Sequence, residues 1–136
     1  LEIQAYDSDA ARQFAARWLP TWTGNDPPGL ASFYTEDAFY RDPQVPRGIS
    51  GKAALLAYFE RLLARNPDWV WTHNGSVPLQ NGFLNRWHAS IPVGSQSIEV
   101  DGVCVVQLRD GLIYSNEVFF DRSELLAAIS GARGNK

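Results

Sequence analysis

Phe33-Tyr34-Thr35-Glu36-Asp37-Ala38-Phe39-Tyr40-Arg41-Asp42-Pro43, followed by Gly48-Ile49-Ser50-Gly51-Lys52-Ala53-Ala54-Leu55, is the stretch on either side of which the chain changes character. Upstream the pattern is helical. Ser8 or Asp9 can cap a first helix in which Ala11, Phe14, Ala15, Trp18, Leu19 and Trp22 share one stripe, and Pro20 is set to kink it or loosen its end near Trp22. Asp26-Pro27-Pro28 supplies a cap with proline at the first helical position, which predicts a short helix through Phe33-Tyr34. Ser50-Gly51 starts a third helix. Its stripe of Ala53, Leu55, Leu56, Phe59, Leu62 and Leu63 is stopped by Asn66-Pro67.

Downstream the periodicity becomes two. Trp69–Thr72, Phe83–Val93, Ser97–Leu108 and Leu112–Phe120 read as strands. Asn81-Gly82, Gly94-Ser95 and Asp110-Gly111 punctuate them as turns of an antiparallel meander. Asp121-Arg122-Ser123-Glu124 has a capping-box pattern and opens a closing helix through Ile129, with Gly131–Lys136 expected to fray. Helices followed by strands make an α+β chain. The strands are apolar on both alternating sets: Val100, Cys104 and Val106 on one, Val103 and Val105 on the other, with Phe119 and Phe120 opposed. A sheet with one face in water alternates more cleanly, so both faces should be covered. The helices can cover one. The other is expected to join a second copy in a homodimer, anchored by Trp87 and one of Trp69 and Trp71.

At 136 residues the chain is one domain, 1–136, and its 45% hydrophobic and 12% aromatic content supplies a core without a metal or disulfide. Twelve basic residues against fifteen acidic ones, scattered, argue against a nucleic-acid or anionic-membrane partner and leave a small apolar molecule as the expected one. No apolar run approaches the roughly 20 residues of a membrane span. Cys104 is the single cysteine, and Leu1-Glu2-Ile3 carries no secretory pattern, so a cytoplasmic location is expected. There is no Gly-x-Ser-x-Gly elbow and no phosphate loop, and the two histidines are fifteen positions apart, so neither a metal nor another cofactor is expected.

The order of elements and the quoted stretch resemble the superfamily of ketosteroid isomerase and nuclear transport factor 2, whose fold is shared with SnoaL-like polyketide cyclases and limonene epoxide hydrolase. The resemblance covers nearly the whole chain. It rests on a Y-x-x-D-A run, here Tyr34–Ala38, that leads into the first strand, and on a G-x-x-A-I-like run that opens the third helix. It implies a cone-shaped α+β barrel: a curved, mostly antiparallel sheet wrapped around three N-terminal helices, with a short C-terminal helix. Residue by residue, Asp42 looks like the isomerase's general base, whereas Trp18 and Cys104 stand where its oxyanion donors would be. Against the epoxide hydrolase, Tyr40, Asp42 and Arg86 resemble the tyrosine, the water-binding asparagine and the arginine. Its two catalytic aspartates appear as His88 and Val118.

The resemblance places Arg86, His88 and Ser90 on the concave face. Asp42 and His88 are thus the expected acid–base pair, with Tyr40, Arg86 and Asn116 orienting or stabilising charge. The expected cavity wall is Trp18, Tyr58 or Phe59, Val70, Val100, Cys104, Val106, Val118 and Phe120. Each polar candidate also has a plainer role. Asp42 can cap a turn before Pro43, Arg86 can pair with Asp42 or Glu117, and Cys104 can be an inert buried thiol. Two functions follow: a cofactor-independent acid–base enzyme (isomerisation, cyclisation or hydration) acting on a small apolar substrate, or a non-catalytic module that binds an apolar ligand or a protein. Arg86 and His88 inside the cone favour the enzyme. Both turned outward, with the cone closed by Phe and Trp, favour binding.

Overall fold

The computed structural model describes residues 7–134; Leu1-Glu2-Ile3 and the last two residues of the tail lie outside them. Asp7, one residue before the expected caps, accepts the amide of Ala10 and opens α1 (Ser8–Trp18), which buries Ala11, Phe14, Ala15 and Trp18. Pro20 has no amide to donate, so the chain tightens into a 3-10 turn, Leu19–Trp22, held by the Thr21 hydroxyl on the Trp18 carbonyl. The Trp22 carbonyl in turn accepts the indole N–H of Trp69, which ties this turn to the sheet.

Asp26 caps α2 (Pro27–Ala31) through the amide of Gly29. This helix stops before the expected Phe33-Tyr34, because the Phe33 carbonyl is taken by the amide of Ile113 and Tyr34 opens β1 (Tyr34–Arg41). β2 (Ile49–Ser50), α3 (Lys52–Arg65), β3 (Val70–Leu79), β4 (Gly82–Val93), β5 (Gln96–Arg109), β6 (Leu112–Phe119) and α4 (Ser123–Gly134) follow. α4 continues through Gly131 to Gly134, where fraying was expected. The strand order is β2-β1-β6-β5-β4-β3, antiparallel throughout except for β1 beside β6. β3 to β6 form the expected meander. β1 and β2 carry too little alternation to be read from periodicity alone, and β3 extends seven residues past the expected Thr72. With α1 and α3 laid against one face of this curved sheet, the chain is a cone-shaped α+β barrel.

The phase of β4 decides which side chains enter the cone. Phe83, Asn85, Trp87, Ala89 and Ile91 are buried, while Leu84, Arg86, His88 and Ser90 face the outer side. Trp87 can lie flat over the sheet because its neighbour across the ladder is Gly102, where a Cβ would stand 2.2 Å from the indole ring. Trp69 and Trp87 are buried and Trp71 is largely so, all facing the interior; none is available to anchor an outer interface. In β3 the same phase sends Val70 outward, 52% exposed, so it is not a wall residue. β3 is also the free edge of the sheet. It is bent by a bulge between His73 and Gly75, where Gly75 has a φ of 141° that a side chain rarely tolerates, and it carries Pro78.

Candidate functional site

A cavity of about 440 Å³ lies between the helices and the inner sheet face. All five tryptophans of the chain, Trp18, Trp22, Trp69, Trp71 and Trp87, line it. Their rings form a continuous wall: Trp22 lies 5.8 Å from Trp71, Trp71 4.5 Å from Trp87 and Trp87 5.6 Å from Phe120, mostly edge to face. The 3-10 turn and the inward phases of β3 and β4 bring these rings together from sequence-distant elements.

One carboxylate interrupts the aromatic wall. Asp42 follows β1, so its side chain falls on the same side as Tyr40, two residues earlier. Its Oδ1 accepts the amides of Gln44 at 2.7 Å and Val45 at 3.2 Å, closing the turn over Pro43. Its Oδ2 accepts two phenols, Tyr40 from β1 and Tyr58 from α3, each at 2.7 Å. The plainer role and the site role thus belong to different oxygens of one side chain. Burial, with the Asp42 charge adding to it, pushes both phenols well above their ordinary range, so they remain protonated donors.

Cys104 lies on the wall, where its sulfur accepts the Trp87 indole N–H at 3.1 Å and burial pushes its thiol up to about 12. It is an inert wall residue. Trp18, Val118 and Phe120 also line the cavity. Tyr58, Phe59, Val100, Val106 and Asn116 are buried in the core instead of on its wall; Tyr58 reaches the site through Asp42, and Asn116 donates to the Tyr34 hydroxyl at 3.1 Å. Trp22, Gln44, Leu62, Trp69, Trp71 and Trp87 are wall residues that sequence reasoning had assigned elsewhere or left aside. His73 reaches Asn85 at 2.6 Å and does not hang free at a turn.

Arg86 and His88 do not join Asp42. The alternation of β4 puts both on the outer face, where His88 sits between Asp101 at 2.9 Å and Glu99 at 3.1 Å. The expected salt bridges of Arg86 are likewise absent. Glu117 pairs with Arg41 at 2.6 Å, and Asp42 is held by phenols and amides. Among the described residues no cluster of three or more His, Cys, Asp or Glu is arranged to hold a metal.

The carboxylates beside His88, Asp101 first, raise its pKa. Stabilisation from this cluster is therefore complete below the unfolded value of about 6.5 and fades as pH rises through the higher folded value. Glu99, held low chiefly by His88, keeps its share until pH falls through its depressed value. Wild type and His88→Gln should thus differ most in melting temperature near pH 6 and converge in alkaline buffer. A gap that widened with rising pH would contradict the pairing.

A family profile described as SnoaL-like domain matches residues 15–116. The chain belongs to the SnoaL-like family. Among solved structures, a Catenulispora acidiphila protein described as having a ketosteroid isomerase-like fold, in complex with trimethylamine, is similar with a TM-score of 0.77 and 17% identity over 87% of this chain and 92% of that one. A Kribbella flavida protein aligns with a TM-score of 0.73 and 17% identity over 94% of this chain and all of its own. No curated protein matches this SnoaL-like chain. Within its described residues no helix is long and apolar enough to cross a membrane.

Proposed function

We propose that this SnoaL-like chain takes up a small, largely apolar molecule in the aromatic cavity, with Asp42 and its two phenols as the polar pole that orients it. The observation that carries this reading is the lining itself: every tryptophan of the chain lines one cavity whose wall carries a single carboxylate. Arg86 and His88, which acid–base chemistry was expected to enlist, face away. The Catenulispora protein of similar fold is itself in complex with a small molecule, trimethylamine, which is in keeping with this reading.

A second reading keeps the enzyme. Asp42 with Tyr40 and Tyr58 is a cluster through which a proton could move between a ligand and the cavity wall, provided the ligand displaces one phenol from Oδ2. One experiment separates the two. Incubation with a panel of enolisable ketones and enones in deuterium oxide, followed by proton NMR, reports binding as line broadening and base catalysis as loss of the exchangeable signal. Binding without exchange supports the binding module; exchange abolished by Asp42→Asn supports the enzyme; neither, for any compound, removes both.

Self-association is proposed through the outer sheet face, with anchors other than the tryptophans. Leu84 and Val105 lie there as a cross-strand pair, beside Val103, which is in register with Phe119, itself 43% exposed. Arg41 holds its guanidinium 5.4 Å from the Phe119 ring. Sedimentation should show a dimer at micromolar concentration that Phe119→Glu converts to monomer. A wild-type monomer would refute it.

A further inference from the structure

We infer that the ligand of this cavity is a quaternary ammonium compound that also carries an oxygen acceptor, the chemical class that includes choline. The inference rests on the binding reading above and adds the ligand's chemistry to it. An aliphatic wall would serve a neutral apolar molecule as well as an aromatic one does. Indole faces add attraction for a cation, strongest where water is excluded, and here Trp22, Trp71 and Trp87 form a connected wall.

The charge at the pole has the matching sign. Asp42 is the one acidic side chain on the cavity wall, is 8% exposed, and has no ion-pair partner among the described residues. Its lone pairs are already occupied. A carboxylate offers about four acceptor positions, and two phenols and two amides take them. Hydrogen bonds fill those positions without cancelling the net charge. The pole is therefore negative yet short of free acceptors, which suits a cation that has no N–H to donate. A primary ammonium would bring three donors with nowhere on the carboxylate to place them.

The oxygen follows from a separate observation. The indole nitrogen of Trp71, on the cavity wall, is buried without a hydrogen-bond partner. It has no surface open to the cavity as the ring stands, so a ligand hydroxyl or carboxylate would satisfy it by turning the indole toward the cavity. Arg65 and Arg122 also border the cavity, but Arg65 is exposed and Arg122 partly so. Water screens them, whereas Asp42 is shielded from it.

The test compares choline with 3,3-dimethylbutan-1-ol, which has the same shape and hydroxyl but carbon in place of the charged nitrogen. Both are titrated by calorimetry into the full chain. Choline should bind about tenfold more tightly or better. Asp42→Asn should remove most of that gap, and Trp71→Phe should weaken both probes together. Equal wild-type affinities would overturn the cationic ligand while leaving a small-molecule pocket standing. Unchanged binding of both probes in Trp71→Phe would overturn the oxygen contact. No binding of either probe at millimolar concentration would overturn the inference, and the ketone panel then decides the binding reading separately. If Asp42→Asn does not fold, the wild-type comparison alone decides.

Discussion

Alanine at position 42 is expected to cost about 3 kcal/mol of folding free energy, since each buried donor left unpaired costs about 1–3 kcal/mol. Tyr40 is 2% exposed and its hydroxyl loses its acceptor outright. Tyr58 fares better, since Gln44 Oε1 lies 3.1 Å from the same hydroxyl. The turn over Pro43 also loses its two amide contacts. Asp42→Asn keeps an oxygen for the turn and should cost less than half as much. Urea denaturation of the three proteins reads this directly. A loss for alanine below about 1 kcal/mol would mean that the carboxylate does not hold the phenols in place.

Trp87→Ala should be more damaging still, at about 3–5 kcal/mol, the usual range for emptying a buried large aromatic site. The indole is 1% exposed, packs against Trp71 and Phe120, fills the space left by Gly102, and donates to Cys104. Nothing nearby can collapse into that space, because the strands beneath are fixed by pairing on both sides of β5. The melting temperature should fall by roughly 10–15 °C in a domain of this size. Trp87→Phe, which keeps a six-membered ring but loses the N–H and the fused five-membered ring, should recover most of the loss. If the alanine variant melted within a few degrees of wild type, the ring would not be a structural wall of the cavity.

The helices, the meander and the turns were legible because each has a local signal: apolar spacing of three and four, alternation, or an Asn-Gly or Asp-Gly pair. The phase of β4 was legible as well. Phe83, Trp87, Ala89 and Ile91 alternate with Arg86, His88 and Ser90, and the apolar set belongs inside. Reading that strand through the family resemblance shifted it by one residue, which turned every side chain to the wrong face and made His88 a partner of Asp42. Trp87 was sent outward separately, by the need to cover a second apolar sheet face. β1 was hidden because its alternation is broken by a register shift between Tyr34 and Phe39 and its partner β6 is 70 residues away or more. The Tyr58 contact to Asp42 could not be read at all: it exists only because α3 crosses the end of β1.

The bulge at His73 and Gly75 and the proline at position 78 bear on how copies of this chain can meet. An unprotected outermost strand is a template onto which another molecule can add its own, and repetition of that step builds fibres. β3 offers no such template over its full length. The bulge breaks the regular row of backbone groups, Pro78 removes one donor from it, and the chain's own twist increases there. At the opposite border the outermost strand is only two residues long. Growth strand by strand is blocked at both margins. The self-association proposed through the broad face would instead use the same patch on both molecules and close at two.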